Sequence, residues 1–241
     1  MTWMTSDKPP VIRGKVPDGY RGPLFYKWHV FTYEGLRASL QEQIVLEDRA
    51  MADRLVQKPS HTMVALRKDQ NICDANGDLH PALREPIKAR IRTKAYKSWP
   101  EITCGQMFLV SPRVRDVIEE FAPGAHYFIA IDVADRQGGS FRTYAFFCGV
   151  MRDYPALALK ANNIPYTIDA ATGRPDYIAP VWAVNSEQFG YLNASVIGGA
   201  PLLWDMRVMM LFSPELVARL GDVLPKHMCF VPMGLVEEPW T

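Results

Sequence analysis

Long apolar runs are missing from this 241-residue chain. No stretch of about 18 apolar residues occurs that could cross a bilayer as a helix, and the opening residues MTWMTSDKPPVIRGK lack the apolar core of a secretory signal. A cytoplasmic protein with no membrane partner is expected. An excess of charge of either sign is missing too: 27 Lys and Arg stand against 26 Asp and Glu, a formal net charge of +1. Such a chain has no general attraction for nucleic acid or anionic lipid, so only local patches could act on either. Cysteine is sparse. Cys73, Cys104, Cys148 and Cys229 lie 31, 44 and 81 residues apart, never in the Cys-x-x-Cys or Cys-x-x-His spacing that sets two ligands on one metal. A chain this long needs no disulfide framework, and reduced, buried thiols are expected. Phosphate loop, dinucleotide fingerprint and zinc-protease helix motif are all lacking, and VIGGA at 196–200 does not have the spacing of the first two. No cofactor is expected.

The composition that remains is that of a globular protein, 48% hydrophobic and 22% charged. A folded chain of this size buries about 70–75% of its unfolded surface, so a sizeable core is available. Residues 1–23 are rich in Pro and Gly and predict an irregular arm. From Glu34 to Gln57, the residues Leu36, Leu40, Ile44, Met51 and Leu55 fall on one helical stripe, with Pro59 as the stop; this predicts the longest helix of the chain. Between 61 and 100, short apolar pieces such as TMVAL alternate with turn residues such as DANGD. The chain divides into an N-terminal segment, 1–104, with the arm and long helix, and an α+β region, 105–241; one continuous domain is the other possibility.

Periodicity is clearest after Gln106. MFLV reads as a buried strand, Ser111 as an N-cap accepting an orphan backbone N–H, and Pro112 as the first helical residue. Val114, Val117, Ile118 and Phe121 repeat at i, i+3, i+4, i+7, APGA ends the helix, and Tyr127, Ile129, Ile131 and Val133 share one face of a following strand. DRQGG then supplies a turn before the strand-like SFRTYAFFCGV. The segment 107–133 recurs without a gap as 209–235, sharing Met107/Met209, Leu109/Leu211, Ser111/Ser213, Pro112/Pro214, Pro123/Pro225 and Phe128/Phe230. Leu216, Val217, Leu220 and Val223 repeat the helix stripe, and Cys229, Val231, Met233 and Leu235 the strand face. The expected fold is α+β: two similar strand-helix-strand units, about 107–133 and 209–235, joined by antiparallel strands, with a helical N-terminal segment. Chance likeness between two capped amphipathic helices is the competing account.

Three local patterns invite chemistry. Each repeat has a Ser before its helix and a His after it, but His126 aligns with Met228 and His227 with Ala125, so the two histidines would project from opposite strand faces. Both serines are accounted for as caps, and no catalytic residue is assigned. DANGDLHPALRE at 74–85 places Asp74, Asn76, Asp78 and Glu85 at positions one, three, five and twelve of a calcium loop. Leu79 stands where the loop requires Gly, Pro81 stands at position eight, and Pro86 follows the last ligand, where an exiting helix would continue, which favours an ordinary turn and no metal. REPIKARIRTKAYKSW at 84–99 carries six basic residues against one acidic, with Tyr96 and Trp99 interleaved. It could track a phosphate backbone, form a solvated face, or meet an acidic protein; near-neutrality of the chain argues against nucleic acid. Lys88, Arg90, Arg92 and Lys94 are the candidate partner-binding residues.

The succession FLVSPRVRDVIEEFAPGAHYFIAIDVADRQGG, YAFFCGVMRDYPAL, LFSPELVARLGDVLPKHMCFVP resembles a family of bacterial immunity proteins from polymorphic-toxin systems, immunity family eleven, formerly a domain of unknown function. The resemblance covers about the last 140 residues. Ser111, Arg115, Asp116, Pro123, Gly124 and Phe128 look like one copy of its motif, and Ser213, Phe230 and Pro232 like a second; the family's Pro two residues after Phe is kept at Pro232 but is Ala130 in the first copy. The resemblance implies a non-enzymatic cytoplasmic protein that binds and neutralises a cognate toxin, probably encoded by an adjacent gene. A small enzyme or ligand-binding protein with a site assembled from dispersed residues is the alternative.

Overall fold

A computed structural model of the chain describes residues 2–3, 11–29, 44–55, 72–73, 78–91, 98–99, 101–103, 108–135, 138–150, 155–178, 187–205, 209–224 and 229–238. The chain runs through β1 (Thr2–Trp3), β2 (Val11–Ile12), β3 (Leu24–His29), β4 (Ile44–Leu46), α1 (Arg49–Leu55), β5 (Ile87–Ile91), β6 (Ser98–Trp99) and β7 (Ile102–Thr103). There follow β8 (Leu109–Val110), α2 (Pro112–Phe121), β9 (Tyr127–Ala134), β10 (Ser140–Phe147), β11 (Tyr166–Ile168) and β12 (Pro175–Tyr177). Last come β13 (Tyr191–Asn193), the single turn α3 (Ala194–Ile197), β14 (Leu202–Asp205), β15 (Met209–Phe212), α4 (Pro214–Leu220) and β16 (Cys229–Val236). The fold is mixed α+β, mostly strands with few helices.

Among the described residues, one sheet has the strand order β4-β5-β9-β10-β8-β7 and a second the order β13-β16-β3-β15-β14, with β2 also pairing with β16 on the edge away from β3. Both sheets draw strands from either side of residue 104. In the first, β8 and β9 each run antiparallel to β10, which lies between them; in the second, β15 and β16 each run antiparallel to β3. A strand parallel to its predecessor needs a crossover, and the helices α2 and α4 supply it.

The helices start where their side chains can satisfy the orphan N–H groups. Ser111 Oγ accepts from Val114 N and Ser213 Oγ from Leu216 N, each at 3.2 Å, and a Pro occupies the first turn of each helix. Val114, Val117 and Ile118 of α2 and Leu216, Val217 and Leu220 of α4 are buried in one cluster with Trp28, Phe146, Phe212 and Phe230, so the two helices fill the space between the sheets. Each such side chain contributes about 1.5–3 kcal/mol by leaving water. The helices also pair on their exposed sides: Arg219 Nε donates to Glu120 Oε2 at 3.3 Å and Arg113 Nη2 to the Asp222 carbonyl at 3.5 Å. The far face of each sheet has its own core. Ile129, Ile131 and Val133 pack with Leu55, Leu83 and Ile87 on the first, and Phe25, Leu211 and Met233 pack with Leu157, Leu159 and Leu192 on the second.

Two expectations for the N-terminal part need correction. The span from Glu34 to Gln57 is not one long helix: Ile44–Leu46 is a strand whose residues pair with Ile91, Arg90 and Ala89, and the helix α1 is seven residues long. Ile44 and Leu46 are buried while Val45 is half-buried, a period of two that tertiary pairing imposes over the helical stripe. Asp48 begins the helix, its Oδ1 accepting from Ala50 N and Met51 N; only Met51 and Leu55 of the stripe lie on it, and Leu36 and Leu40 fall outside the described residues. Among the described residues the longest helix is α2, with ten residues. The arm is not wholly irregular either. β1 pairs with β6, β2 with β16, and the Tyr20 hydroxyl accepts from Leu235 N at 2.8 Å and donates to the Pro23 carbonyl at 2.6 Å. Gly14 sits at φ +87° with the Glu187 carbonyl where a Cβ would stand, so no other residue fits there.

The two caps differ in one respect. Ser111 Oγ also donates to Glu101, a fully buried carboxylate that Arg113 approaches at 3.5 Å, whereas Ser213 has no such acid among the hydrogen bonds of the described residues. Ser213→Ala should lower stability by about 1 kcal/mol. Ser111→Ala should cost about 2 kcal/mol or more, because it also leaves a buried carboxylate without its hydroxyl donor. Urea unfolding of both variants checks this; equal losses would show that the Glu101 contact contributes nothing.

Candidate functional site

The strand β5 reads IKARI, with Ile87, Ala89 and Ile91 buried and Lys88 and Arg90 exposed on the opposite side. The candidate residues Lys88 and Arg90 therefore share one face of the sheet; Arg92 and Lys94 lie outside the described residues. Register extends this face into two rows. Lys88 stands beside Asp132 of β9, which stands opposite Arg142 of β10. Arg90 lies between Val45 and Ala134, and Ala134 faces Ser140.

Arg142 Nε and Nη2 donate to the two oxygens of Asp132 at 2.8 and 3.0 Å, a bidentate pair with both side chains nearly half exposed. That hydrogen bonding, aided by the guanidinium charge, holds the Asp132 carboxyl below the usual range. Farther along β10, Arg115 of α2 donates to the Tyr144 hydroxyl at 2.7 Å, and its guanidinium lies 4.6 Å from the centre of that ring. Arg115 also binds Asp116 at 2.6 Å. Neither Lys88 nor Arg90 forms an ion pair among the described residues. Sequence reasoning missed Asp132 and Arg142. A hairpin turn at DRQGG pairs residues whose numbers sum to a constant, which would have found them, but the constant depends on the turn geometry.

Beside Lys88 a cleft of about 700 Å³ opens, lined in part by Glu47, Asp48, Glu85, Met51 and Ile87. Glu85 is thus part of that cleft. Of the other three calcium-loop candidates, Asp78 is exposed, and Asp74 and Asn76 lie outside the described residues. A Cys73–Leu79 bridge closes the loop, and His80 Nδ1 caps the 3₁₀ turn Pro81–Leu83 that follows. Among the described residues no group of three or more His, Cys, Asp or Glu is placed to hold a metal ion. Cys73, Cys148 and Cys229 form no disulfide among the described residues, and the last two are buried; Cys104 is outside the described residues. His126 is buried, with Nδ1 accepting from Gly149 N at 3.3 Å, and burial pulls its pKa down to about 4, so it is neutral. His227 is outside the described residues. Among the described residues no helix is long and apolar enough to cross a membrane.

The family comparison sets these residues in context. The sequence model of an immunity protein family (Imm11) matches residues 36–191, more than half of the chain, and the chain belongs to that family. A search of curated proteins finds none that matches. The matched span begins well upstream of the region where the motif resemblance was noted, and takes in β4, α1 and β5. It contains Ser111, Arg115, Asp116, Pro123, Gly124 and Phe128 but stops before Ser213, Phe230 and Pro232.

A buried cation lies away from this face. Lys27, in the middle of β3, is 1% exposed and stands between Leu211 and Val231; burial pulls its pKa from 10.5 down to about 8. Between pH 8 and 10.5 the unfolded chain binds the proton that the folded chain has released, so this residue makes stability rise with pH across that window. Below pH 8 both states are charged and the burial penalty is fully present. The stability of the protein relative to Lys27→Met should therefore increase between pH 8 and 10.5, by on the order of 3 kcal/mol. Denaturant unfolding of both proteins at a series of pH values measures it. A difference that stays constant over the window would show that Lys27 titrates as an exposed lysine does.

Proposed function

We propose that this chain binds and neutralises a cognate bacterial toxin by occlusion, without chemistry, in the cytoplasm of the cell that encodes both. Membership of the immunity family carries this reading. Inhibition by occlusion needs shape and charge complementarity over an interface and no catalytic constellation. The exposed rows of β5, β9 and β10, held in place by buried residues on the other side of the same strands, are a rigid surface of the kind such an interface uses.

We also infer that the segments around 107–133 and 209–235 are two copies of one strand-helix-strand unit, each split by a central antiparallel strand. Register supports this. Val110, Tyr144 and Ala130 align across β8, β10 and β9, as do Phe212, Tyr26 and Pro232 across β15, β3 and β16. The next row matches Leu109, Ala145 and Ile129 with Leu211, Lys27 and Val231, and Phe146 beside Phe128 matches Trp28 beside Phe230. The outer strands agree in direction: β5 is parallel to β9 as β13 is to β16, and β7 is antiparallel to β8 as β14 is to β15. The central strand comes after its helix in the first copy and from the N-terminal side, as β3, in the second, so the copies are related by circular permutation.

Two experiments follow. Co-expression of this chain with the toxin encoded beside it should restore growth of a sensitive host, and the two should co-purify in fixed stoichiometry with the toxin covalently unaltered. Rescue by catalytic amounts of the chain, or a modified toxin, would establish an enzyme instead. For the duplication, a rearranged gene that moves residues 1–35 behind residue 241 brings β3 next to β16 in sequence. That chain should fold to the same cooperative state and refold faster, since Trp28 and Phe230 would no longer be 202 positions apart. Slower refolding or loss of the cooperative transition counts against the permuted unit.

A further inference from the structure

We infer that the open strand face bearing Lys88, Arg90, Asp132 and Arg142 is where the toxin docks, and that the toxin presents carboxylates to it. The inference rests on the immunity reading and adds the surface and its chemistry. Its starting point is a difference between two equivalent places. In the register set out above, Asp132 beside Arg142 in the first unit corresponds to Gly234 beside Leu24 in the second. Over Gly234 the chain supplies its own cover. Tyr20, Phe189 and Tyr191 form a ring cluster with centroids 5.4 to 6.0 Å apart, so close that a Cβ on Gly234 would stand 2.8 Å from Tyr20 and 3.0 Å from each of the others. The Tyr20 hydroxyl ties that cover to Leu235.

Among the described residues nothing covers the matching place in the first unit, and it is charged. Asp132 and Arg142 satisfy one another and are 43% and 46% exposed. Lys88, beside Asp132, and Arg90, one row on, are exposed and make no ion pair among the described residues. Glu47 follows the end of β4 next to Lys88, its N–H donating to the Lys88 carbonyl at 3.0 Å. Among the described residues of these strands, Lys88, Arg90 and Arg142 are the cations on this face and Asp132 the acid, while Glu47, Asp48 and Glu85 line the cleft beside Lys88, so the cation without a neighbouring acid is Arg90. The Arg90 row contains no acid: its neighbours are Val45 and Ala134. A partner carboxylate can meet the Arg90 fork at two points and Lys88 beside it. Because β5 is paired on both sides and its other face is buried, the geometry is set before the partner arrives and little is lost in ordering it.

The experiment compares the purified chain with Lys88→Glu/Arg90→Glu by titration calorimetry against the product of the neighbouring toxin gene, with Lys160→Glu/Arg174→Glu as a control pair on another surface. Reversal places like charges across the interface, so the first variant should bind at least ~100-fold more weakly. Its thermal unfolding should match the parent's, and the control should bind within about threefold of it. Replacing the facing toxin carboxylates by Lys should recover binding of the reversed variant. If the parent binds and the reversed variant binds equally well, the docking face is elsewhere although the immunity reading stands. If the parent does not bind the toxin, both fail together. Should Lys88→Glu/Arg90→Glu abolish binding of a DNA duplex or a single strand while leaving toxin binding intact, the face is a nucleic-acid surface and the inference is overturned.

Discussion

A six-residue strand near the start of the chain sits between two strands near its end, and the second sheet depends on that insertion. β3 pairs with β15 on one side and β16 on the other. Without it, β15 and β16 would face each other as parallel strands with unpaired backbone groups, each costing the desolvation of a buried polar atom. The same strand contributes Trp28 to the core between the sheets and Phe25 to the core beyond the second sheet, so one segment joins two hydrophobic clusters. It also carries a buried lysine. Lys27 occupies the place that Ala145 holds in β10, where burial disfavours its charged form.

The two helices depend on that arrangement. With β10 and β3 inserted as central strands, both crossovers pass over the same side of their sheets, and α2 and α4 meet across a common core. Their contact is apolar at the centre and ionic at the rim, where Arg219 reaches both Glu120 and Asp222. Exposed pairs of this sort are worth little singly. The cluster of Val114, Val117, Ile118, Leu216, Val217 and Leu220 is what holds the sheets together.

Function then falls to what the packing leaves outside. One half of the molecule closes its strand face with an aromatic cluster from Tyr20, Phe189 and Tyr191, and in the other no described residue covers the charged face. The family match extends over the open half and stops before β14, β15 and β16. The proposed immunity by binding asks only for such a surface, and the cost of holding it rigid is met by the buried side of the same strands.

Local features were legible in the sequence because their causes are local. Ser111 with Pro112 and Ser213 with Pro214 specify helix starts through hydrogen bonds three residues away. The stripe Val114, Val117, Ile118 and the alternation Ile129, Ile131, Val133 declare which face is buried, and IKARI contains the alternation that exposes Lys88 and Arg90 together. The stripe through Ile44 misled because Ile, Val and Leu fit a helix or a strand, and pairing with Ile91 and Ala89, more than forty residues away, settled the matter. Only the tertiary structure decided that β3 belongs beside β16, that Asp132 and Arg142 form one pair, and that aromatic rings cover Gly234. Those outcomes rest on register between distant strands, which no local pattern encodes: a shift of one residue would turn every side chain to the opposite face.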